Sequence, residues 1–257
     1  MRMDFLDKIL TEKRKEVAEI SDEKPGKLRE TYKIVDYLSK NSQELQVIAE
    51  VKKASPSLGD INTNADIIAQ AKSYEGSGAM AISVLTDQVY FKGDIEYLRK
   101  ISSKVKIPTL NKDFIIDKKQ INRAVNNGAT VILLIVAALD YNKLKELYDY
   151  ATGLGLEVLV ETHNKEELKQ AHKLGAKLIG INNRNLKTFE VSLDTTEKLS
   201  KYFQEDRFYI SESGIKEEGD AEFVAPYVNG ILVGESLMRS SNVEEALKSL
   251  KVERNDY

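Results

Sequence analysis

The chain has 257 residues, 42% of them hydrophobic and 31% charged, with two histidines, no cysteine and a formal net charge of −3. Disulfides, thiolate nucleophiles and zinc–thiolate sites are thereby excluded, and a histidine-based metal site is disfavoured. The charge leaves no broad basic footprint for nucleic acid, no apolar stretch approaches the ~20 residues of a membrane span, and the N-terminus lacks a signal peptide's apolar centre, so no membrane association and a cytoplasmic location are expected.

In chain order, residues 1–45 read as an N-terminal helical extension. Phe5, Leu6, Ile9 and Leu10 form one stripe, and Leu28, Tyr32, Ile34, Val35 and Leu38 suggest a second, so helices here are expected to cover a barrel end rather than to build a separate domain. Eight short apolar runs follow, and nearly all stop at charged or small polar residues. Val47-Ile48-Ala49 runs into Glu50 and Lys52, Ala81 to Leu85 into Thr86-Asp87, and Ile107 to Leu110 into Lys112-Asp113. The fourth, Val131 to Val136, lacks an immediate polar end. Val158-Leu159-Val160 leads to Glu161, Leu178 to Ile181 to Asn182 and Arg184, Phe208-Tyr209-Ile210 to Ser211-Glu212-Ser213-Gly214, and Ile231-Leu232-Val233 to Gly234-Glu235.

Helix-period segments separate the runs: Ala65 to Ser77, Asp94 to Ser102, Lys118 to Asn127, Asp140 to Leu154, Lys165 to Leu174, Thr195 to Phe203, Glu217 to Ala225 and Val243 to Leu250. Asn64, Asp140, Asn164, Asp194 and Asn242 are the expected N-caps. Gly78-Ala79, Gly128-Ala129 and Gly175-Ala176 each lie between a helix and a run at nearly equal spacing, with Asn229-Gly230 in the matching place before the eighth, as helix C-termini needing positive φ would require. This alternation predicts a parallel sheet, and the internal repeat predicts its closure into a (β/α)8 TIM barrel occupying residues 1–257 as one α/β domain. A doubly wound open sheet is the structural alternative.

A barrel places its chemistry at the C-terminal strand ends. Glu50 and Lys52 alternate, so both point into the mouth, and Ser55-Pro56-Ser57 with Gly59 marks either a lid or a plain connection. Lys112 at a partly desolvated strand end, near Lys52, is expected to have a lowered pKa suited to a proton donor. With Glu50, Glu161 and Glu212 it forms a mixture of carboxylates and cations able to split acid and base roles. Asn182 and Arg184 suit a carboxylate or phosphate, and Phe91 and Phe114 could wall an aromatic ligand, although core packing explains either one alone. Ser213-Gly214 and Gly234-Glu235 on neighbouring strands suit phosphate binding through backbone N–H groups. His163, past the fifth strand's end, and His172, within a helix, read as bland structural residues.

These residues resemble the indole-3-glycerol phosphate synthase family across essentially the whole chain. The strings that carry the resemblance are Ile48-Ala49-Glu50-Val51-Lys52-Lys53-Ala54-Ser55-Pro56-Ser57, Ser83-Val84-Leu85-Thr86 with Tyr90-Phe91-Lys92-Gly93, Lys112-Asp113-Phe114-Ile115, Leu133-Leu134-Ile135, Leu159-Val160-Glu161, Gly180-Ile181-Asn182-Asn183-Arg184, Ser211-Glu212-Ser213-Gly214-Ile215 and Val233-Gly234-Glu235-Ser236-Leu237-Met238. The resemblance implies ring closure of a phosphorylated, anthranilate-derived substrate with loss of CO2 and water, without cofactor or metal, in tryptophan biosynthesis. It implies Lys112 as general acid, Glu161 as base, Lys52 as partner of an anionic substrate end, and Glu50 and Glu212 as stabilisers of developing positive charge. By the same resemblance Asn182, Arg184, Phe91 and Phe114 contact substrate, Leu133 walls the aromatic pocket, Ser55 belongs to a mobile cover, and Ser213, Gly214, Gly234 and Glu235 hold the phosphate. Asp87, Asn111 and Asn185 depart from the family pattern, which more often has Glu, an Arg or another large residue, and Asp there. Other readings are another phosphate-binding barrel (an isomerase or a Schiff-base aldolase with Lys112 as nucleophile) and a catalytically silent metabolite-binding barrel. The chain is expected to be monofunctional, and nothing in the scheme requires an oligomer.

Overall fold

The computed structural model describes residues 5–55, 59–62 and 65–254. In chain order the strands are β1 (Gln46–Val51), β2 (Ala54–Ser55), β3 (Gly59–Asp60), β4 (Ala81–Leu85), β5 (Thr109–Lys112), β6 (Val131–Ile135), β7 (Glu157–Thr162), β8 (Leu178–Asn182), β9 (Phe208–Glu212) and β10 (Gly230–Val233). All eight apolar runs become parallel staves of a closed barrel in the order β1-β10-β9-β8-β7-β6-β5-β4, with β4 returning to pair with β1. Closure removes both edges, so the open doubly wound alternative is ruled out. β2 and β3 pair antiparallel in the connection after β1. The side chain of Ser55, together with Pro56, Ser57 and Asn64, lies outside the described residues.

The helices are α1 (Phe5–Glu19), α2 (Ile34–Lys40), α3 (Ile67–Gly76), α4 (Gln88–Phe91), α5 (Ile95–Ser102), α6 (Lys118–Asn126), α7 (Tyr141–Gly153), α8 (Lys165–Leu174), α9 (Asp194–Ser200), α10 (Glu218–Val224), α11 (Glu235–Arg239) and α12 (Val243–Ser249). Among the described residues none is long and apolar enough to cross a membrane. Asp140, Asn164 and Asn242 cap their helices as expected, and Asp66 caps α3. Asp194 does not cap: it is the first residue of α9, and the Thr196 N–H is met instead by Asn183 Oδ1 at 3.2 Å, reaching over from the end of β8. Gly78, Gly128 and Gly175 have φ of +87°, +89° and +85°, as the repeat requires, whereas Gly230 lies within β10 and needs glycine for another reason: a Cβ there would stand 2.8 Å from the Gln46 carbonyl. The third stave starts two residues later than its apolar run, because Pro108 has no N–H for the ladder, and extends to Lys112.

Period-two alternation sorts the strand side chains. Ile48, Leu110, Leu133, Leu159, Leu178, Ile210 and Leu232 fill the interior, while Val47, Ala49, Val84, Leu134, Val160, Ile179 and Ile231 face the helices. Continuing the inward set toward the C-terminal ends brings Glu50, Lys112, Glu161, Asn182, Glu212 and Gly234 to the mouth.

The extension divides between the barrel's two ends. α1 lies at the mouth, where Lys13, 1% exposed, places Nζ 2.9 Å from Asp87 Oδ2 and 2.7 Å from Asp113 Oδ1. Residues 21–33, which the Leu28 and Tyr32 positions had marked as helical, are irregular, because the chain here descends the barrel's flank. Arg29 holds this descent by donating to the carbonyls of Val105 and Ile107, and Gly26 N donates to Asn126 Oδ1. α2 then plugs the floor: Ile34 and Leu38 are fully buried against Ile48, Met80, Leu110 and Leu178. Its first N–H groups, of Ile34 and Val35, donate to the Glu157 carboxylate at 2.6 and 2.9 Å.

Candidate active site

A cavity of about 480 Å³ opens at the mouth. Lining it are Glu50, Lys52, Phe91, Lys112, Phe114, Leu133, Glu161, Asn182, Arg184, Glu212, Ser213, Gly214, Gly234 and Glu235, so the sequence candidates whose side chains are described come together around one space. The sequence reading missed further lining residues, among them Phe5, Leu6 and Ile9 from α1 and Phe189 from the segment after β8. Phe5 meets Phe189 and Tyr90 edge to face, at centroid distances of 4.9 and 5.4 Å, and so roofs part of the cavity. The apolar stripe on α1 was legible; that it would face this cavity was not.

Lys112, at the end of β5, is the centre of the charge arrangement. Its Nζ is 2.6 Å from Glu212 Oε2 and 3.6 Å from Glu161 Oε2. Burial by itself would lower its pKa, but the Glu212, Glu161 and Glu50 carboxylates outweigh burial and hold the pKa above the ordinary lysine value. The expected lowering is therefore corrected: carboxylates from three strands surround this lysine, while Lys52 is taken up by its own partner, Glu50 Oε1, at 2.8 Å. Glu50, also bonded by Ser83 Oγ at 3.2 Å, has a lowered pKa because Lys52 and Lys112 overcome the opposing effect of burial.

The two glutamates flanking Lys112 are driven apart. Burial acts on both, but Lys112, His163 and Asn182 hold Glu161 below the usual carboxylate range. Glu212 is raised to about 7, because burial and the neighbouring Glu161 and Glu50 charges exceed what Lys112 returns, and its Oε1 has no hydrogen-bond partner among the described residues. Gly180 makes room for this carboxyl group: a Cβ there would lie 2.1 Å from Glu212 Oε1.

At the opposite wall, Ser213 and Gly214 have successive positive φ values of +65° and +93°, turning the chain after β9 beside Gly234 and Glu235 after β10. Asn183, absent from the sequence candidates, holds this corner, donating to Ser211 Oγ, Glu212 O and Ser213 O at 2.9 to 3.0 Å. Arg184 lines the cavity while its Nη1 donates to Phe189 O at 3.2 Å. Phe91 and Phe114 face each other with centroids 6.3 Å apart.

The departures from the family pattern have structural partners of their own. Asp87 binds buried Lys13, Asn111 Nδ2 donates to Thr86 Oγ1 at 2.8 Å, and Asn185 Oδ1 accepts from the N–H groups of Lys187 and Thr188. His163 is not bland. It sits largely enclosed between Glu161 and Glu167, and these carboxylates raise its pKa to about 10 against the opposing effect of desolvation.

Residues 6–250 match the family model described as indole-3-glycerol phosphate synthase. Curated relatives carrying that name include one from Lactococcus lactis subsp. lactis (strain IL1403), 65% identical over 97% of this chain and 96% of its own length. Another, from Streptococcus pneumoniae (strain CGSP14), is 61% identical over 99% of this chain and all of its own length. Among solved structures, 3-hexulose-6-phosphate synthase from Salmonella typhimurium superposes with a TM-score of 0.63 at 12% identity, covering 80% of this chain and 96% of that one, a likeness of fold alone. With the family model matched over residues 6–250 and curated relatives 61–65% identical over nearly its full length, the chain belongs to the indole-3-glycerol phosphate synthase family.

Proposed function

We propose that the chain converts 1-(2-carboxyphenylamino)-1-deoxyribulose 5-phosphate to indole-3-glycerol phosphate, CO2 and water, as a cytoplasmic enzyme of tryptophan biosynthesis, with the mouth cavity as its active site. The observation that carries the site assignment is the placement of Lys112 between Glu212 and Glu161 in that cavity.

An aromatic carbon is a weak nucleophile, so the ketone it attacks must be strongly polarised. Lys112, an ammonium throughout the neutral range, points its charge at the ketone oxygen and delivers a proton as negative charge grows there, when the transfer becomes favourable. The ring carbon bearing the carboxylate bonds to C2′, CO2 leaves with restoration of the aromatic sextet, and Glu161, held ionised, takes a C1′ proton while the new hydroxyl, protonated by Lys112 once that lysine has regained its proton, leaves as water. Glu212, titrating near neutrality, accommodates protons that Lys112 loses and regains. Lys52 pairs with the substrate carboxylate, Glu50 orients Lys52, and Phe91, Phe114 and Leu133 enclose the aryl ring. Asn182 and Arg184 bind polar groups of the chain, Ser55 belongs to the cover over the mouth, and the backbone around Ser213, Gly214, Gly234 and Glu235 takes the phosphate. A Schiff-base aldolase role is disfavoured, because an amine nucleophile needs a lowered pKa and that of Lys112 is raised.

Purified protein mixed with carboxyphenylamino-deoxyribulose phosphate is expected to generate indole fluorescence. Folded protein that produces none defeats the proposal.

A further inference from the structure

His163 has no place in the scheme above, yet its surroundings are unusual for a structural histidine. Period-two alternation from Leu159 through Glu161 brings its side chain to the inward row at the top of β7, 10% exposed. Nε2 lies 3.2 Å from Glu161 Oε1, off the line of a well-aligned hydrogen bond, and Nδ1 lies 3.0 Å from Glu167 Oε2. Each ring nitrogen therefore faces a carboxylate. A neutral imidazole has one N–H and one lone pair, so one nitrogen would be set lone pair against carboxylate; only the imidazolium presents a proton to both.

Glu167 is itself fixed. Its carboxylate accepts the His163 N–H at 2.8 Å and Asn164 Nδ2 at 2.6 Å, while its own N–H donates to Asn164 Oδ1, the N-cap of α8. That cap would be complete with any side chain at position 163, since only the backbone N–H of that residue takes part. The imidazole adds something else: a rigid cationic link from the start of α8 to one oxygen of Glu161. The other oxygen, Oε2, is left facing Lys112.

We propose that His163 is a positioning residue for the reaction: as an imidazolium bridging Glu161 and Glu167, it orients the Glu161 carboxylate and keeps it ionised toward the cavity. The inference rests on the base role of Glu161 proposed above. The charged groups facing the bridge are Glu161 on β7 and Glu167 on α8, and Lys112 on β5 acts on Glu161 from the other side. Losing the imidazolium leaves Glu161 with Lys112 and Asn182, so its pKa should rise and more of it should be protonated on the acid side of neutrality.

The chain's two histidines make the test direct. In the 15N-histidine NMR spectrum of the full-length protein at pH 7.5, with His172→Asn used for assignment, both ring nitrogens of His163 are expected at imidazolium shifts. His172, whose pKa is lowered chiefly by burial, is expected to be neutral. In kinetics, His163→Asn should lower kcat about 10- to 100-fold, the range for removing a group that orients an active ligand, with KM changed less than about threefold. Its acidic limb in the kcat–pH profile should move to higher pH. Glu167→Gln, which keeps the ring, should move both the limb and the His163 titration in the corresponding directions by a smaller amount, and it carries the test if His163→Asn does not fold. A neutral His163 at pH 7.5, or a variant with unchanged kcat and acidic limb, overturns the inference. Normal turnover by Glu161→Gln would defeat the base role and take the positioning role with it, whereas a neutral His163 in an enzyme that still requires Glu161 overturns the inference alone.

Discussion

The two ends of the barrel are built from the same strands yet obey opposite rules. The floor is apolar: α2 presses Ile34 and Leu38 against the lowest interior layer, and the Glu157 carboxylate beneath it satisfies two helix N–H groups. The mouth gathers buried Glu50, Glu161 and Glu212 around the partly exposed Lys52 and Lys112, with Glu212 Oε1 unmatched among the described residues and two neighbouring glutamates pulled to opposite sides of their normal pKa. A floor of this kind contributes stability by burial, whereas the mouth retains electrostatic tension that a substrate can relieve. α1 belongs to both regimes, since Lys13 is a structural cation placed next to the proposed active site.

The sharpest way to separate the ends is to remove the central charge of the mouth. Lys112→Ala should cut turnover by about 10²- to 10⁴-fold, the usual worth of a positioned acid, while binding of a substrate analogue, followed by titration calorimetry, stays within a few-fold. Normal turnover would remove Lys112 from the acid role. Next in size is the border case. Lys13→Met leaves Asp87 and Asp113 buried without their cation and should destabilise the fold by about 3–5 kcal/mol in denaturant unfolding; a loss under about 1 kcal/mol would show that α1 is not held by this network. At the floor, Leu38→Ala should cost about 2–5 kcal/mol with kcat unchanged, and a fall in kcat as large as that of a mouth variant would erase the distinction between the ends.

The smallest effect is a slope in stability with pH. The folded pKa of His163, about 10, lies above the ordinary value of 6.5 expected in the unfolded chain. Its stabilisation is therefore complete below about pH 6.5 and is lost as pH rises toward 10. Unfolding free energies measured across that window should fall more steeply for the native chain than for His163→Asn; equal slopes would show that the imidazole gains nothing from its two carboxylates on folding.

Much of the mouth could be read in advance because strands have a period of two and barrels expose their C-terminal ends. A polar residue one or two places beyond an apolar run then has few destinations, and Glu50, Lys112, Glu161, Asn182 and Glu212 all line the cavity. The same parity, extended one step beyond Glu161, would have flagged His163; it was passed over because a single histidine past a strand end carries no local signal of its partners. Asn183 was missed for a related reason, since its value lies in joining Ser211, Ser213 and Thr196, which are far from it in sequence. The helical reading of residues 21–33 failed because Leu28 and Tyr32 are spaced for a helix but serve a segment pinned through Arg29 to the barrel's flank.

What the amino-acid order determined by itself is the set of elements: alternating runs and amphipathic stretches, their Asp and Asn caps, and the glycines at helix ends, all consequences of local geometry and short-range hydrogen bonding. Ionisation was decided only in the folded barrel. Whether Lys112 is a depressed amine or a held ammonium depends on three carboxylates from β1, β7 and β9 that no local pattern brings to it. The division of the N-terminal extension between mouth and floor was likewise tertiary, because an apolar stripe specifies burial without specifying against what. Burial and charge are properties of the whole surrounding volume, and that volume exists only once the ring has closed.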